Sequence, residues 1–318
     1  MILQVRDLYV SFRTEQGMAR VIDGVSFDVN EGEVLGIAGE SGSGKTVTLL
    51  AVMGLITDPN AVISGSIKYR GRELVGLKPA DMRRLRGHEI AMIFQDPMTA
   101  LTPVYTIGWQ IAEQIRTHQS VSKKQAWTRA IDLLAEVNIP KPEEAVHRYP
   151  HQLSGGMRQR AVIAMALSCN PALLVADEPT TALDVTVQAQ ILDLLRKLQQ
   201  SHGSAIIFIT HDLGVMAELA DRIMIMYAGR IVERAARAEV FAAPRHPYTR
   251  ALLDSIPPLD GPRPHRLRTI SGAPPSLLNL PRGCAFGPRC VHRFDACDAR
   301  PALVGDAHAT ACFAVTAP

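Results

Sequence analysis

Gly39-Glu40-Ser41-Gly42-Ser43-Gly44-Lys45-Thr46 fits the pattern G-x-x-x-x-G-K-[ST], and its flanks decide how it is read. The apolar run Val34-Leu35-Gly36-Ile37-Ala38 stands immediately before it, and a helical pattern at 47–55 follows. A strand, a glycine-rich turn and a helix in that order make a cradle for phosphate. The glycines let backbone N–H groups turn inward around phosphate oxygens, and the helix start adds the positive end of its dipole. Lys45 then reaches the β- and γ-phosphates and the Thr46 hydroxyl ligates Mg²⁺. The expected cradle comprises Gly39, Ser41, Gly42, Ser43, Gly44, Lys45, Thr46 and Val47.

Working outward, Ile90-Ala91-Met92-Ile93-Phe94, Ala172-Leu173-Leu174-Val175-Ala176 and Ala205-Ile206-Ile207-Phe208-Ile209 share the character of 34–38. Short continuous apolar runs suit strands covered on both faces, so an α/β fold around a largely parallel sheet is expected. Helical periodicity falls between them, for example at 156–168 and 187–200, and 97–150 reads as helical. Residues 2–30 and 64–69 alternate as half-exposed strands do. In such a sheet ligands gather at the carboxyl ends of the strands. The run 173–176 ends in Asp177, placed to support Mg²⁺, and Glu178, placed to polarise an attacking water. Gln95 follows the run 90–94, where its amide can bridge the metal and that water. His211 follows 207–210, where an imidazole can contact the γ-phosphate or the water. Each of these alone reads equally as a turn residue or a solvated strand end; the phosphate cradle gives them a common purpose.

Composition removes several classes. Lys+Arg 34 against Asp+Glu 31 leaves a net charge of +3 with the basic residues scattered, which argues against a surface organised around nucleic-acid phosphates. Aromatics at 5% argue against a stacking platform for single strands. No apolar run approaches the roughly 18 to 20 residues that span a bilayer, and the first residues lack a basic region followed by an apolar one. The chain is therefore expected in the cytoplasm, with its thiols reduced. Twelve of the 21 prolines lie from Pro244 to Pro318, with four of the five cysteines, Cys284, Cys290, Cys297 and Cys312. Residues 1–243 are thus expected to form the main domain and 244–318 an extension of little regular structure. Cys169 reads as a small buried hydrophobe. The spacing C-x5-C-x6-C-x14-C contains no C-x-x-C, which disfavours a zinc ribbon. Three readings stay open for the four thiols: an iron–sulfur cluster, zinc, or no ligand at all. Arg282 and Arg289 lie nearby in sequence, where their charge would offset thiolates.

Leu153-Ser154-Gly155-Gly156-Met157-Arg158-Gln159-Arg160 opens the helical pattern 156–168, with Ser154 placed to cap it. Taken alone it is an ordinary capped helix. Beside a phosphate cradle it becomes a second anion-binding candidate, and two such sites far apart in one chain suggest ATP sandwiched between two subunits. In this combination the sequence resembles the ATP-binding cassette (ABC) family: the cradle, Gln95, 153–157, Asp177-Glu178, Ala182-Leu183-Asp184 and His211 occur in that family's order across 1–243. The resemblance implies a P-loop nucleotide-binding domain with a RecA-like parallel core, an antiparallel β subdomain and a helical subdomain at about 97–168. It implies that Ser154, Gly155 and Gly156 meet the γ-phosphate of ATP held by the partner subunit, and that Asp184 lies in the loop linking the two sites. Glu178 is then the general base, accompanied by His211 and Gln95, and Mg²⁺ is held by Thr46, Gln95 and Asp177. Phe12 resembles the aromatic that stacks on adenine, with Tyr9 close by. Thr181 stands where many members have Ser and keeps the hydroxyl.

The extension narrows the resemblance. Arg245-His246-Pro247-Tyr248-Thr249 with Ala251-Leu252-Leu253, Phe94-Gln95-Asp96-Pro97-Met98-Thr99-Ala100-Leu101 and Tyr149-Pro150-His151-Gln152 resemble the ATPase subunits of dipeptide and oligopeptide importers. Nickel and glutathione importers share these features. The resemblance implies a bacterial import motor, peripheral on the cytoplasmic face of the inner membrane. Its expected partners are a second ATPase subunit (related or identical), two transmembrane permease subunits and a periplasmic or extracellular substrate-binding protein, with no nucleic acid. Soluble members of the superfamily that act on nucleic acid or ribosomes form the alternative class. Those usually carry two cassettes or a long coiled-coil insertion, neither of which is visible here. Some peptide-importer ATPases carry a [4Fe-4S] cluster in this region with a spacing that this sequence resembles, so Cys284, Cys290, Cys297 and Cys312 are its expected ligands, with zinc as the alternative.

Overall fold

The computed structural model describes residues 1–181, 183–256 and 270–316. Among them the strands are β1 (Leu3–Thr14), β2 (Gly17–Val29), β3 (Val34–Ala38), β4 (Ala61–Tyr69), β5 (Arg72–Glu73), β6 (Ile90–Ile93), β7 (Leu173–Asp177), β8 (Ala205–Ile209), β9 (Arg222–Tyr227), β10 (Arg230–Ala236) and β11 (Ala309–Thr310). The chain forms two compact units, each assembled from separated stretches. One holds 3–28, 34–75 and 210–318; the other holds 1–2, 29–33 and 76–209.

In the first unit a four-stranded sheet runs in the order β2-β1-β4-β5, with β1 and β4 antiparallel and Leu3 opposite Tyr69. The expected alternation is present: Leu3, Val5, Leu8 and Val10 are buried. Its period slips once, between Val5 and Leu8, where the register shifts and Asp7 takes φ 45°. One extra residue on β1 returns its apolar side chains to the buried face. The same unit contains β3 paired parallel to β9, then β10 and β11 added antiparallel. All of β3 is buried, as is β9 after Arg222. β9 turns into β10 through Ala228 (φ 46°) and Gly229 (φ 78°). Two left-handed central residues give a hairpin turn whose twist matches that of its strands. The extension belongs to this unit. Its helix Pro247–Asp254 starts at His246, whose Nδ1 accepts the Tyr248 N–H at 3.0 Å. Residues 270–316 hold short turns of 3₁₀ helix, β11 and one four-residue helix, in line with the expectation of little regular structure.

In the second unit β6, β7 and β8 are parallel, Ile90 opposite Leu173 and Leu173 opposite Ala205. Every residue of β7 and β8 is buried, which explains their unbroken apolar runs. The helical stretch expected at 97–150 contains Ile107–His118 and Lys123–Glu136, which pack together and against Gly155–Leu167. Each starts where a side chain accepts an otherwise orphaned amide: Thr106 from Trp109, Ser122 in a capping box with Gln125, and Ser154 from Met157. Helix Val185–His202 begins at Asp184, buries Ile191, Leu192, Leu194, Leu195 and Leu198, and ends at Gly203. Among the described residues no helix is long and apolar enough to cross a membrane.

Candidate active site

β3 delivers the chain directly into the glycine loop. Gly39 has φ +151°, and a Cβ there would lie 2.2 Å from the Met226 carbonyl oxygen, so the loop can lie against β9 only because residue 39 has no side chain. Lys45 opens helix Lys45–Val52 and is 6% exposed. Its ammonium donates to the carbonyls of Gly39 at 2.7 Å and Glu40 at 2.9 Å, which places the charge inside the loop. The hairpin turn after β9 braces the same loop: the Gly229 N–H donates to the Ser43 carbonyl at 3.0 Å. Ser41, Gly42 and Thr46 face solvent, whereas Ser43 and Gly44 are buried. The loop therefore has a fixed floor and an open mouth, the arrangement in which backbone amides and one cation receive a polyphosphate.

In the second unit the acids close β7. Asp177 is 4% exposed, and the next residue, Glu178, turns out of the sheet with φ 46°. Its amide donates to the Ile209 carbonyl at 3.0 Å. The Glu178 carboxylate accepts two hydrogen bonds at Oε2, from Gln95 Nε2 at 3.2 Å and from Thr181 Oγ1 at 2.8 Å. Gln95 and Glu178, 83 residues apart, thus meet as strand-end neighbours. A carboxylate held on an outlying backbone conformation by an amide and a hydroxyl is fixed in orientation, as a general base must be. Sequence position gives Thr181 only a retained hydroxyl; the structure turns that hydroxyl onto Glu178 and so makes it a site residue.

Ser154 and Gly155 are exposed at the start of their helix. A Cβ on Gly156 would lie 2.8 Å from Val187 Cγ1 on helix Val185–His202. Asp184 caps that helix by accepting the Val187 N–H at 2.9 Å and is exposed. Ala182, from the expected run 182–184, lies outside the described residues, as do 257–269 and 317–318 of the extension. In the first unit His211 is exposed just before the Asp212 cap of helix Leu213–Leu219. Phe12 lies half-buried on β1 opposite Ala61. Tyr9, the other aromatic considered, lines a cavity of about 510 Å³ with Asp23, Arg230, Cys284 and Phe286.

The four thiols of the extension line one small cavity, together with His246, Phe286 and Phe313. The chain folds back to bring them there: the Cys284 amide donates to the Cys297 carbonyl at 2.9 Å, and the Cys290 amide to Gly287 at 3.2 Å. Burial pushes the Cys284, Cys290 and Cys312 thiols up, and neighbouring thiols add to the shift. Among the described residues no group of three or more His, Cys, Asp or Glu is gathered closely enough to hold a metal ion. Cys169 is buried as expected, at 6% exposure.

Arg289 behaves differently from the sequence reading. Its guanidinium pairs with Glu40 of the glycine loop, Nη1 to Oε2 at 2.5 Å and Nη2 to Oε1 at 3.0 Å, and donates to Tyr227 Oη at 3.3 Å. Tyr248 joins it: the Glu40 N–H donates to Tyr248 Oη at 2.7 Å. Arg282 lines a separate cavity with Arg20 and Leu277. Nothing local in the sequence links residue 40 to residues 248 and 289.

A phosphate cradle after one buried strand, a hydrogen-bonded glutamate after another and a capped Ser-Gly-Gly helix start define an ATP-hydrolysing ATPase of the ATP-binding cassette type. Residues 22–181 match the family described as "ABC transporter", and residues 232–297 match "Oligopeptide/dipeptide transporter, C-terminal region". The chain belongs to the ABC transporter family. It is 50% identical over 303 residues to the dipeptide transport ATP-binding protein DppD of Escherichia coli, covering 95% of this chain and 92% of that one. It is 48% identical over 302 residues to the oligopeptide transport ATP-binding protein OppD of Haemophilus influenzae, covering 95% and 93%. Among solved structures, the dimeric cassette MJ0796 in a post-hydrolysis state with ADP and phosphate superposes with a TM-score of 0.67 at 25% identity, covering 74% of this chain and 99% of that one. CbiO1 of Clostridium perfringens superposes with a TM-score of 0.64 at 26% identity, covering 76% and 91%.

Proposed function

We propose that this chain is the ATP-hydrolysing motor subunit of a bacterial importer of di- and oligopeptides. The observation that carries the reading is the fusion of the cassette to an oligopeptide/dipeptide-type C-terminal region, in a chain similar over nearly its whole length to peptide-import ATP-binding proteins. Lys45 and the loop amides bind and orient the triphosphate. Thr46, Gln95 and Asp177 would hold Mg²⁺, which would supply charge neutralisation for the triphosphate. Glu178, aimed by Gln95 and Thr181, takes a proton from a water as its oxygen bonds to the γ-phosphorus; the bridging P–O bond breaks and ADP leaves. His211 and the Ser154–Gly156 corner donate hydrogen bonds to the γ-phosphate, the latter for nucleotide on a second ATPase subunit; the similar cassette MJ0796 is itself dimeric. Closing and parting of that pair drives two permease subunits, to which this chain binds on the cytoplasmic face; a substrate-binding protein brings the peptide. The test is reconstitution with its permease and substrate-binding partners in vesicles. ATP-dependent peptide uptake that disappears with Glu178→Gln is expected; uptake of another solute class in place of peptide would overturn the assignment.

The four cysteines are assigned in the same reading to an iron–sulfur cluster of the [4Fe-4S] type. Four thiols around one cavity in an irregular, doubled-back segment support this, as does their chemistry: soft thiolates select iron–sulfur clusters or zinc. Anaerobic purification should yield a brown chain whose iron and acid-labile sulfide are lost on Cys290→Ser; stoichiometric zinc without sulfide would replace the cluster with zinc.

A further inference from the structure

The glycine loop carries its own electrostatic problem. Glu40 lies within it and brings a carboxylate into a loop that has to attract a triphosphate. We propose that Arg289 and Tyr248 are positioning residues for the nucleotide: Arg289 removes the negative charge of Glu40 from the phosphate field, and Tyr248 fixes the backbone that bears it. The inference rests on the reading of this loop as the ATP site.

Glu40 is held at three points. Its carboxylate takes the two-pronged pair with Arg289, its amide donates to Tyr248 Oη, and its carbonyl accepts the Lys45 ammonium at 2.9 Å. The Arg289 side chain is 4% exposed and that of Glu40 is 26% exposed, so the pair is largely shielded from water and salt. Arg289 is itself held, donating to the carbonyl of Ser271 at 2.9 Å and lying over the rings of Tyr227 and Phe286. Tyr248 is fully buried and packs on the same two aromatic rings. A guanidinium built into so fixed a frame returns one positive charge to the loop without adding a mobile side chain. The segment bearing it, between Cys284 and Cys290, also lines the thiol cavity, and the extension reaches the glycine loop through two side chains, Tyr248 and Arg289.

A simple brace and a charge canceller make different predictions. If Arg289 only braces the loop, removing either partner weakens nucleotide binding equally. If it cancels charge, Arg289→Ala is harmful and Glu40→Gln is not, because the second change removes the repulsion itself. The experiment is equilibrium titration of the full chain with a fluorescent non-hydrolysable ATP analogue, with circular dichroism confirming the fold of each variant. Arg289→Ala is expected to raise Kd about 10-fold at low salt, with the gap narrowing as salt screens Glu40. Glu40→Gln/Arg289→Ala is expected to return to within about 2-fold of the unmodified chain. If Arg289→Ala does not fold, Glu40→Gln decides: it should bind within about 3-fold of the unmodified chain. An Arg289→Ala chain that binds equally well, a double variant as weak as the single, or a weak Glu40→Gln would overturn the inference. Failure of the unmodified chain to bind the analogue would instead overturn the ATP-site reading beneath it.

Discussion

Glu178 receives the Gln95 amide and the Thr181 hydroxyl on the same oxygen, Oε2, which fixes the carboxylate that the proposed mechanism uses as its general base. Glu178→Gln is therefore expected to keep nucleotide affinity while turnover falls by at least about 100-fold, the minimum for loss of a general base. Thr181→Ala should lower kcat by about 10-fold with little change in Kd, since it removes one hydrogen bond to a charged group. Phosphate release and nucleotide titration on the same preparations separate the two effects. His246 offers a test of a different kind. Burial lowers its pKa from 6.5 to about 4, against the opposing pull of Glu233. Its Nδ1 accepts the Tyr248 amide, so the ring must be neutral to cap that helix. The unfolded chain takes up this proton first: the stabilisation is complete above pH 6.5 and is lost as pH falls toward 4. Thermal unfolding from pH 7 to 4.5 should show a decline that His246→Gln flattens.

The β9–β10 hairpin connects sheet geometry to the site. Its turn places Gly229 against the cradle, donating to Ser43 and accepting from the Asp23 amide. A Cβ at residue 229 would lie 2.4 Å from the Val21 carbonyl oxygen, at φ +78°. Gly229→Ala should cost about 1 to 3 kcal/mol in urea unfolding, from overpacking and left-handed strain together. It should also weaken nucleotide binding, because the loop floor moves. A variant with unchanged stability and affinity would detach the turn from the site. One helix start was legible in the sequence: Ser154 caps the helix its position indicated, because a cap is satisfied by amides two or three residues away, whereas the Asp184 and Ser122 caps emerged only in the structure.

At the scale of the whole protein, the proposed sharing of each nucleotide between two ATPase subunits predicts concentration-dependent activity. Specific hydrolysis should rise with chain concentration, or on adding the partner ATPase, and Ser154→Ala should depress it even with the cradle intact. A rate per chain that stays flat across dilution, by coupled assay beside sedimentation analysis, would refute shared sites.

The strand runs, the glycine spacing, Asp177-Glu178 and the crowding of cysteines after residue 244 were determined by the sequence alone, since each is a local pattern read within a few residues. So was the joint presence of Gln95 and Glu178, though not the bond between them. Only the tertiary structure decided that Gln95 donates to Glu178, 83 positions away, and that Glu40 is met by Tyr248 and Arg289, 208 and 249 positions away. Periodicity and composition report which face of an element is buried; which charge answers which across hundreds of residues is set by packing, and Arg289 looked from the sequence like a neighbour of thiols because its partner was far down the chain.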